Sequence, residues 1–167
     1  MAKQRGFSVI ELVIVVAIIL ILCAIAAVNL RKARITANQA SAVSSLREIN
    51  NAQAIYASTY PDAGYSSNLL RMGSNGSDCQ SSTKSNACIL DPSLASGIKS
   101  GYIFDLLGDG NLPDMSYAAT ATPQAAGISG DCTFTSTQSA QIASVRPPVA
   151  VLSVATGAGT AAACNGF

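Results

Sequence analysis

The hydrophobic pattern begins with a long apolar run near the N-terminus. Residues 12–28 are uncharged and almost entirely apolar, and residues 7–10 extend the run, with Ser8 and Glu11 as its polar interruptions. The run reaches about 22 residues, and at about 1.5 Å per residue a helix of that length spans a hydrocarbon core of about 30 Å. The pattern therefore predicts a membrane-spanning helix at 7–29.

An amphipathic segment continues the same helix. No proline lies between Met1 and Tyr60, and Gly6 is the only glycine there, so we predict one helix over 7–60, about 80 Å long. One stripe at spacings of three and four residues is expected to cover a sheet. It consists of Ala42, Leu46, Ile49, Gln53, Tyr56 and Tyr60. The opposite face, predicted to meet water or a neighbouring molecule, carries Asn38, Ser41, Ser45, Glu48 and Asn51. Pro61 ends the helix because the residue before a proline disfavours helical geometry.

The remaining residues, 61–167, predict a small antiparallel sheet. A connection rich in Ser, Asn and Gly comes first, with one short helical turn at Leu69–Met72. Apolar alternation and turn residues then predict strands at 101–107, 115–122 and 131–136, and an edge strand at 149–154. A meander laid against the second half of the helix is the simplest arrangement. The predicted fold class is therefore α+β, with a long helix packed on a small antiparallel sheet.

Composition and charge argue against several classes of function. The chain has 167 residues, 11% of them charged, and a formal net charge of +1, which gives no electrostatic footprint for nucleic acid. It contains no histidine, so histidine-based catalytic triads and histidine metal sites are excluded. No G-x-S-x-G motif occurs either. We therefore predict that the chain is not an enzyme and needs no catalytic cofactor.

The five cysteines fall into two groups. Cys23 lies in the apolar run and is interpreted as a small packing residue, whereas Cys79, Cys88, Cys132 and Cys164 lie beyond it. An even set in a translocated domain indicates disulfides formed in an oxidising compartment. Of the three possible pairings we favour 79 with 88 and 132 with 164, since each pair encloses a loop of small and polar residues. A zinc site is the alternative, but no C-x₂₋₄-C pair is present.

Charges that flank the apolar run bear on its orientation. Lys3 and Arg5 favour an N-terminus in the cytoplasm, and Arg31, Lys32 and Arg34 at the other end weaken that asymmetry. The cysteines decide the matter, because disulfides require the C-terminal part to lie outside the cytoplasm.

Glu11 is the unusual residue of the apolar run. A carboxylate at the centre of a membrane costs about 2.5–3.5 kcal/mol, and no nearby residue of the run supplies a cation. Residues 3–12, Lys-Gln-Arg-Gly-Phe-Ser-Val-Ile-Glu-Leu, resemble the class III signal of type IV pilin precursors and pseudopilins. The resemblance implies that a prepilin peptidase cuts between Gly6 and Phe7 and methylates the new Phe7 amine. It also implies that Glu11 of one subunit faces the Phe7 amine of a neighbour during filament assembly.

The resemblance divides the chain into four parts. Residues 1–6 form the leader, 7–29 the transmembrane and filament-core helix, 30–60 its amphipathic continuation, and 61–167 the globular domain. The implied protein is a structural subunit of a type IV pilus that serves adhesion, motility or DNA uptake. Its partners are further copies in a helical filament, the prepilin peptidase and the assembly machinery. It resides in the bacterial inner membrane as a precursor and afterwards in a cell-surface filament.

Two alternatives remain open at this point. The first is a pseudopilin of a type II secretion system, and the second is a membrane-anchored binding domain that does not assemble. Motility pilins commonly break their membrane helix with Gly and Pro, whereas this chain has Leu20 and Val28 at those positions, which favours a pseudopilin. A terminal disulfide loop between Cys132 and Cys164 is typical of pilins and favours a pilus subunit.

An acidic loop at 105–114 offers a possible cation site. Asp105, Asp109, Asn111 and Asp114 carry side-chain oxygens around an Asp-Gly turn. Calcium binds six to eight oxygens, and major pseudopilins carry a calcium loop in their C-terminal part. The spacing matches no EF-hand, however, and Asp-Gly turns between strands need no metal. Calcium and an ordinary hairpin turn are therefore both retained.

Overall fold

The computed structural model describes residues 7–74, 79, 81–146 and 164. The helices are α1 (Val9–Thr59), α2 (Leu69–Met72) and α3 (Pro92–Ala95). The strands are β1 (Ile98–Lys99), β2 (Tyr102–Gly108), β3 (Tyr117–Pro123), β4 (Thr133–Thr137) and β5 (Ile142–Val145). They form one five-stranded antiparallel sheet in the order of the chain. The predicted α+β class, with one long helix and an antiparallel meander, is confirmed.

Helix α1 begins and ends within two residues of the predicted 7–60, and it runs through two compact units that divide after Arg34. In the first unit every side chain that the structure describes is exposed, including Phe7 at 76% and Ile14 at 54%. The helix is long and apolar enough at its start to cross a membrane. A helix that is apolar on all sides needs lipid or other helices around it.

The second unit contains the hydrophobic core. Five members of the predicted stripe of α1 are buried to 2% exposure or less, and Tyr60 is half-buried. The buried five are Ala42, Leu46, Ile49, Gln53 and Tyr56. The four apolar members belong to one hydrophobic cluster with Tyr102, Phe104 and Phe134 of the sheet, so the prediction that this stripe covers the sheet is confirmed.

The predicted opposite face of α1 is wrong in most of its positions. Ser45 is 3% exposed, Asn38 Nδ2 donates to the Ser129 carbonyl at 3.0 Å, and Glu48 approaches Lys99 at 3.6 Å. Ser45 precedes Ile49 by four residues, so the two lie on the same side of the helix. The face that the structure exposes carries Ala37, Ala40, Ser44, Arg47, Asn51 and Ala54. The covered arc of α1 is therefore wider than one stripe.

Buried amides fix α1 against the rest of the second unit. The Gln53 side chain accepts a hydrogen bond from the Ser66 N–H at 2.8 Å and donates to the Ser66 carbonyl at 2.7 Å. Asn50 Nδ2 donates to Ser136 Oγ at 2.8 Å and its oxygen accepts from the Tyr117 hydroxyl at 3.0 Å. Because buried polar groups must be paired, these bonds select one position of the helix.

The strand predictions agree with β2, β3 and β4 to within two residues, and the helical turn at Leu69–Met72 is confirmed as α2. The sequence did not predict β1 or β5, which are only two and four residues long. Strands of that length carry too little alternation to be recognised. The predicted edge strand at 149–154 lies outside the described residues.

Candidate functional site

The candidate assembly site is the start of α1. Glu11 is the acidic residue of the first turn of the helix, and Phe7 precedes the helix with an exposed side chain. Backbone N–H groups at a helix start favour a carboxylate by about 0.3–1 kcal/mol. That gain is smaller than the cost of a carboxylate in lipid, about 2.5–3.5 kcal/mol at the centre. Gly6, the predicted residue before the cut, lies outside the described residues.

No cation of the described chain reaches Glu11. Its carboxylate is in none of the ion pairs found among residues 7–74, 79, 81–146 and 164. Arg31, the next basic residue along α1, is twenty positions away, which corresponds to about 30 Å along the helix axis. A partner for Glu11 inside a membrane or a helix bundle must therefore be supplied by an amine at residue 7 or by another molecule.

Both predicted disulfides are present. Cys79 is bonded to Cys88 and Cys132 to Cys164, with Cα atoms 5.8 and 6.5 Å apart. The second bond is buried, and the Cys164 N–H donates to Ser144 Oγ of β5 at 3.3 Å. The zinc alternative is therefore wrong, because a sulfur in a disulfide is not available as a thiolate ligand.

The acidic loop between β2 and β3 is organised by its own backbone. Asp109 accepts hydrogen bonds from the N–H groups of Asn111 at 2.9 Å and Met115 at 3.1 Å, and Asp114 accepts from the N–H of Gly110 at 3.1 Å. Asp114 also joins this loop to the turn that follows α1, because its N–H donates to the Ala63 carbonyl and its carbonyl accepts from the Tyr65 N–H.

The two carboxyl groups of the loop differ in pKa. The pKa of Asp109 is lowered, mainly by the N–H of Asn111. The pKa of Asp114 is raised, first by burial and then by its hydrogen bond with Asp109. The two carboxyl groups therefore titrate in opposite directions from the ordinary value, and backbone N–H groups of the loop donate to both of them.

These residues do not fit a calcium ion. The Asp105 side chain belongs to an exposed position of β2, away from the buried Asp114. Within the described ranges no three His, Cys, Asp or Glu side chains are grouped so that they could hold a metal. Calcium requires six to eight oxygens, and the oxygens of Asp109 already accept N–H groups. The hairpin-turn interpretation is the one that the geometry supports.

Sequence reasoning missed a cluster of charges around Lys99. Lys99 Nζ lies 2.9 Å from Asp91 Oδ2 and 3.6 Å from Glu48 Oε2. These two ion pairs connect β1 to the residue before α3 and to α1. Asp91 also caps α3 by accepting from the Ser93 N–H at 2.8 Å. The Ser93 hydroxyl and then Lys99 hold the pKa of Asp91 well below its usual range, and Asp91 raises the pKa of Lys99.

Comparison with known proteins identifies the N-terminal segment. Residues 1–27 match the family model described as the prokaryotic N-terminal methylation motif. No curated protein and no solved structure matches the chain. The match includes Gly6, Phe7, Glu11 and most of the apolar run. The second unit lies outside the matched residues and is interpreted from its structure.

Proposed function

Because the chain carries the class III signal peptide of type IV pilins and pseudopilins, we propose that it is a structural subunit of a type IV pilus. This motif marks structural proteins, which are typically not enzymes. In the proposal, residues 1–6 are removed by a prepilin peptidase and the new amine of Phe7 is methylated. The filament serves adhesion, motility or DNA uptake.

The observation that carries the proposal is Glu11 in an exposed apolar helix without a cation in its own described chain. An ionised acid in lipid is stabilised when a positive group arrives with a neighbouring subunit. The Phe7 amine of the neighbour is such a group. In a single subunit in the membrane the Glu11 carboxylate has no cationic partner. Pairing with the amine of a neighbouring subunit lowers the free energy of that carboxylate and so favours assembly.

Cleavage is tested with Gly6→Ser in the full chain, and Gln4→Ser is the matched control within the leader. We expect Gly6→Ser to remain an uncleaved precursor in the membrane, whereas Gln4→Ser yields a protein that begins at methylated Phe7. Mass spectrometry of the purified protein reports both. A mature N-terminus at Phe7 from the Gly6 variant would count against processing at this site.

The role of Glu11 is tested with Glu11→Leu and Glu11→Asp. Both variants insert into the membrane, but only the aspartate variant retains a charge for the neighbouring amine. We expect fibres in sheared surface material from Glu11→Asp and few or none from Glu11→Leu. A wild-type fibre yield from Glu11→Leu would refute the pairing.

Shear fractionation also separates the alternatives. A non-assembling membrane-anchored domain remains with the membrane fraction, whereas a pilus subunit is found in the sheared fraction. A pseudopilin of a type II secretion system is distinguished by deletion of the gene, because loss of protein secretion without loss of surface fibres favours that function.

A further inference from the structure

The edge strand β1 covers only part of β2. On one side, β2 pairs with β3 along its whole length, Tyr102–Gly108, whereas on the other side it pairs with β1 only at positions 102 and 103. The next contact on the β1 side is the Phe104 N–H, which donates to the Gly97 carbonyl at 2.7 Å. Beyond Phe104, no strand of the described ranges pairs with this side of β2. The sheet therefore has an open edge at 105–108.

The main-chain groups of Leu106 point toward this open edge. Successive residues of a strand present N–H and C=O alternately to its two sides, and the Phe104 N–H faces β1, so the N–H and C=O of Leu106 face the same way. The register agrees, because Tyr102, which faces β1 in the same alternation, lies opposite Pro123, a residue without an N–H. In the part of the chain that the structure describes, no hydrogen bond of the Leu106 main chain is found. Leu106 therefore presents one donor and one acceptor that no strand uses.

An open cavity of about 250 Å³ lies along this edge. Positions 104–106 of β2 form one wall, and residues 67–70 around the start of α2 and 95–97 around the end of α3 form the others. Leu70 is 47% exposed, so the α2 wall offers apolar surface. Pockets that enclose a whole small ligand usually measure about 300–1,000 Å³, so this cavity suits one or two residues of a chain that passes along the edge.

We propose that the open edge of β2 binds an extended segment of another protein by β-strand addition. A strand placed antiparallel at the ordinary spacing of about 4.8 Å puts one residue opposite Leu106. That residue accepts from the Leu106 N–H and donates to the Leu106 carbonyl, so both unused groups are satisfied. A second copy of the same edge is not the partner, because each edge lies behind the α2 and α3 walls of its own cavity, and two recessed edges cannot approach to that spacing.

The neighbouring side chains define the chemistry of the segment. Leu106 is partly buried and packs against the core, so the segment residue opposite it, on the same face, is expected to be small and apolar. The next position lies opposite Asp105, whose exposed side chain is in none of the ion pairs among residues 7–74, 79, 81–146 and 164. Directly opposed side chains have Cβ atoms about 4.5–5.5 Å apart, and opposite charges are favoured there. The partner is therefore an extended segment in which a basic residue follows a small apolar one.

The probe is a labelled hexapeptide, Ser-Thr-Val-Lys-Thr-Ser, which is titrated with the full chain in detergent micelles and followed by fluorescence anisotropy. Its valine is placed for Leu106 and its lysine for Asp105. The matched control is the same peptide with an N-methyl group on the valine nitrogen, which removes the donor to the Leu106 carbonyl and leaves every side chain unchanged. We expect saturable binding of the parent peptide and binding weaker by about fivefold or more after N-methylation. Glutamate in place of the lysine is expected to weaken binding by about twofold or more.

Leu106→Pro is the corresponding change in the protein. It removes the N–H that faces the cavity but no hydrogen bond of the ladder between β2 and β3, and proline is tolerated at such edge positions. Leu106→Val is the matched control, because it keeps the N–H while it also shortens the side chain. We expect the proline variant to lose binding about fivefold or more and the valine variant to stay within about twofold of the wild type. Intact disulfides on non-reducing gels and an unchanged circular dichroism spectrum show that both variants fold.

Two results would overturn β-strand addition at this edge. The first is the absence of saturable binding of the parent peptide. The second is equal binding of the parent and the N-methylated peptides, a comparison that needs no protein variant and so holds whether or not Leu106→Pro folds. Either result leaves the proposed filament function unaffected, because no fibre is measured.

Discussion

Gln53 provides the most direct test of how α1 is held on its domain. The side chain is 0% exposed and forms two hydrogen bonds with the backbone of Ser66, which is 1% exposed. Gln53→Leu removes both bonds while it preserves the approximate volume of the side chain. The N–H and carbonyl of Ser66 then remain buried without partners.

The expected cost follows from those two groups. A buried backbone group without a partner costs about 1–3 kcal/mol, so the pair costs about 2–6 kcal/mol. The leucine recovers about 1.5–2 kcal/mol through burial of its apolar surface. From the middle of that range we therefore expect Gln53→Leu to lower the free energy of unfolding by about 2 kcal/mol, which corresponds to a fall in Tm of about 4–8 °C for a chain of this size.

The measurement is thermal unfolding of the full chain in detergent micelles, followed by circular dichroism. Asn51→Leu is the matched control, because it adds the same apolar side chain to the exposed face of α1 and is expected to change stability by no more than about 0.5 kcal/mol. Gln53→Glu adds a test of mechanism. Its carboxyl can donate to the Ser66 carbonyl only when protonated, so the variant should lose stability as the pH rises above about 4. If Gln53→Leu unfolds at the same temperature as Asn51→Leu, the two hydrogen bonds do not fix the helix as argued.

Three further perturbations test other parts of the fold by the same unfolding assay. Asp91→Ala removes the cap of α3 and the partner of Lys99, and it should cost about 1 kcal/mol at pH 7. Because the folded pKa of Asp91 is depressed, its contribution is complete above about pH 4 and declines progressively as the pH is lowered further, so a difference from wild type that stays constant between about pH 5 and pH 2 would contradict this. The raised pKa of Asp114 has the opposite sign, since its ionisation opposes folding as the pH rises above about 4. Asp114→Asn, which retains a donor for the loop, should abolish that loss, and millimolar calcium should leave the wild-type Tm unchanged; a calcium-dependent rise in Tm would show that the loop binds the ion. Gly64→Ala should cost more than Gly110→Ala, although both glycines have positive φ (73° and 81°), because only at Gly64 would the added Cβ meet the backbone of Asp114; equal losses would show that strain in φ accounts for the whole effect.

The elements that sequence reasoning recovered are those specified by local patterns. The helix at Val9–Thr59 follows from the absence of proline and glycine between residues 7 and 60, and the inner stripe from a spacing of three and four. Strands β2 to β4 follow from period-two alternation. Each disulfide was predicted because it closes one loop of small and polar residues, and both pairings are present.

Where sequence reasoning failed, the outcome depends on residues far apart in the chain. The expected outer face of α1 was wrong because the loop that contains Ser129 and the cluster around Lys99 cover part of it. The sequence left calcium and a hairpin turn both open for the acidic loop, because composition cannot reveal that the backbone N–H groups of the loop turn onto Asp109.

By itself, the sequence determined that the chain carries a prepilin-type signal, an apolar helix with one acid near its start, and a small disulfide-bonded α+β domain. These properties depend on which residues follow one another, and hydrophobic period and motif spacing record that order. The tertiary structure alone decided which positions of α1 are covered, such as Ser45 at 3% exposure, and that Lys99 of β1 pairs with Glu48 of α1. Those facts depend on how distant segments cover one another, because a side chain becomes buried or paired only when packing brings a neighbour to it.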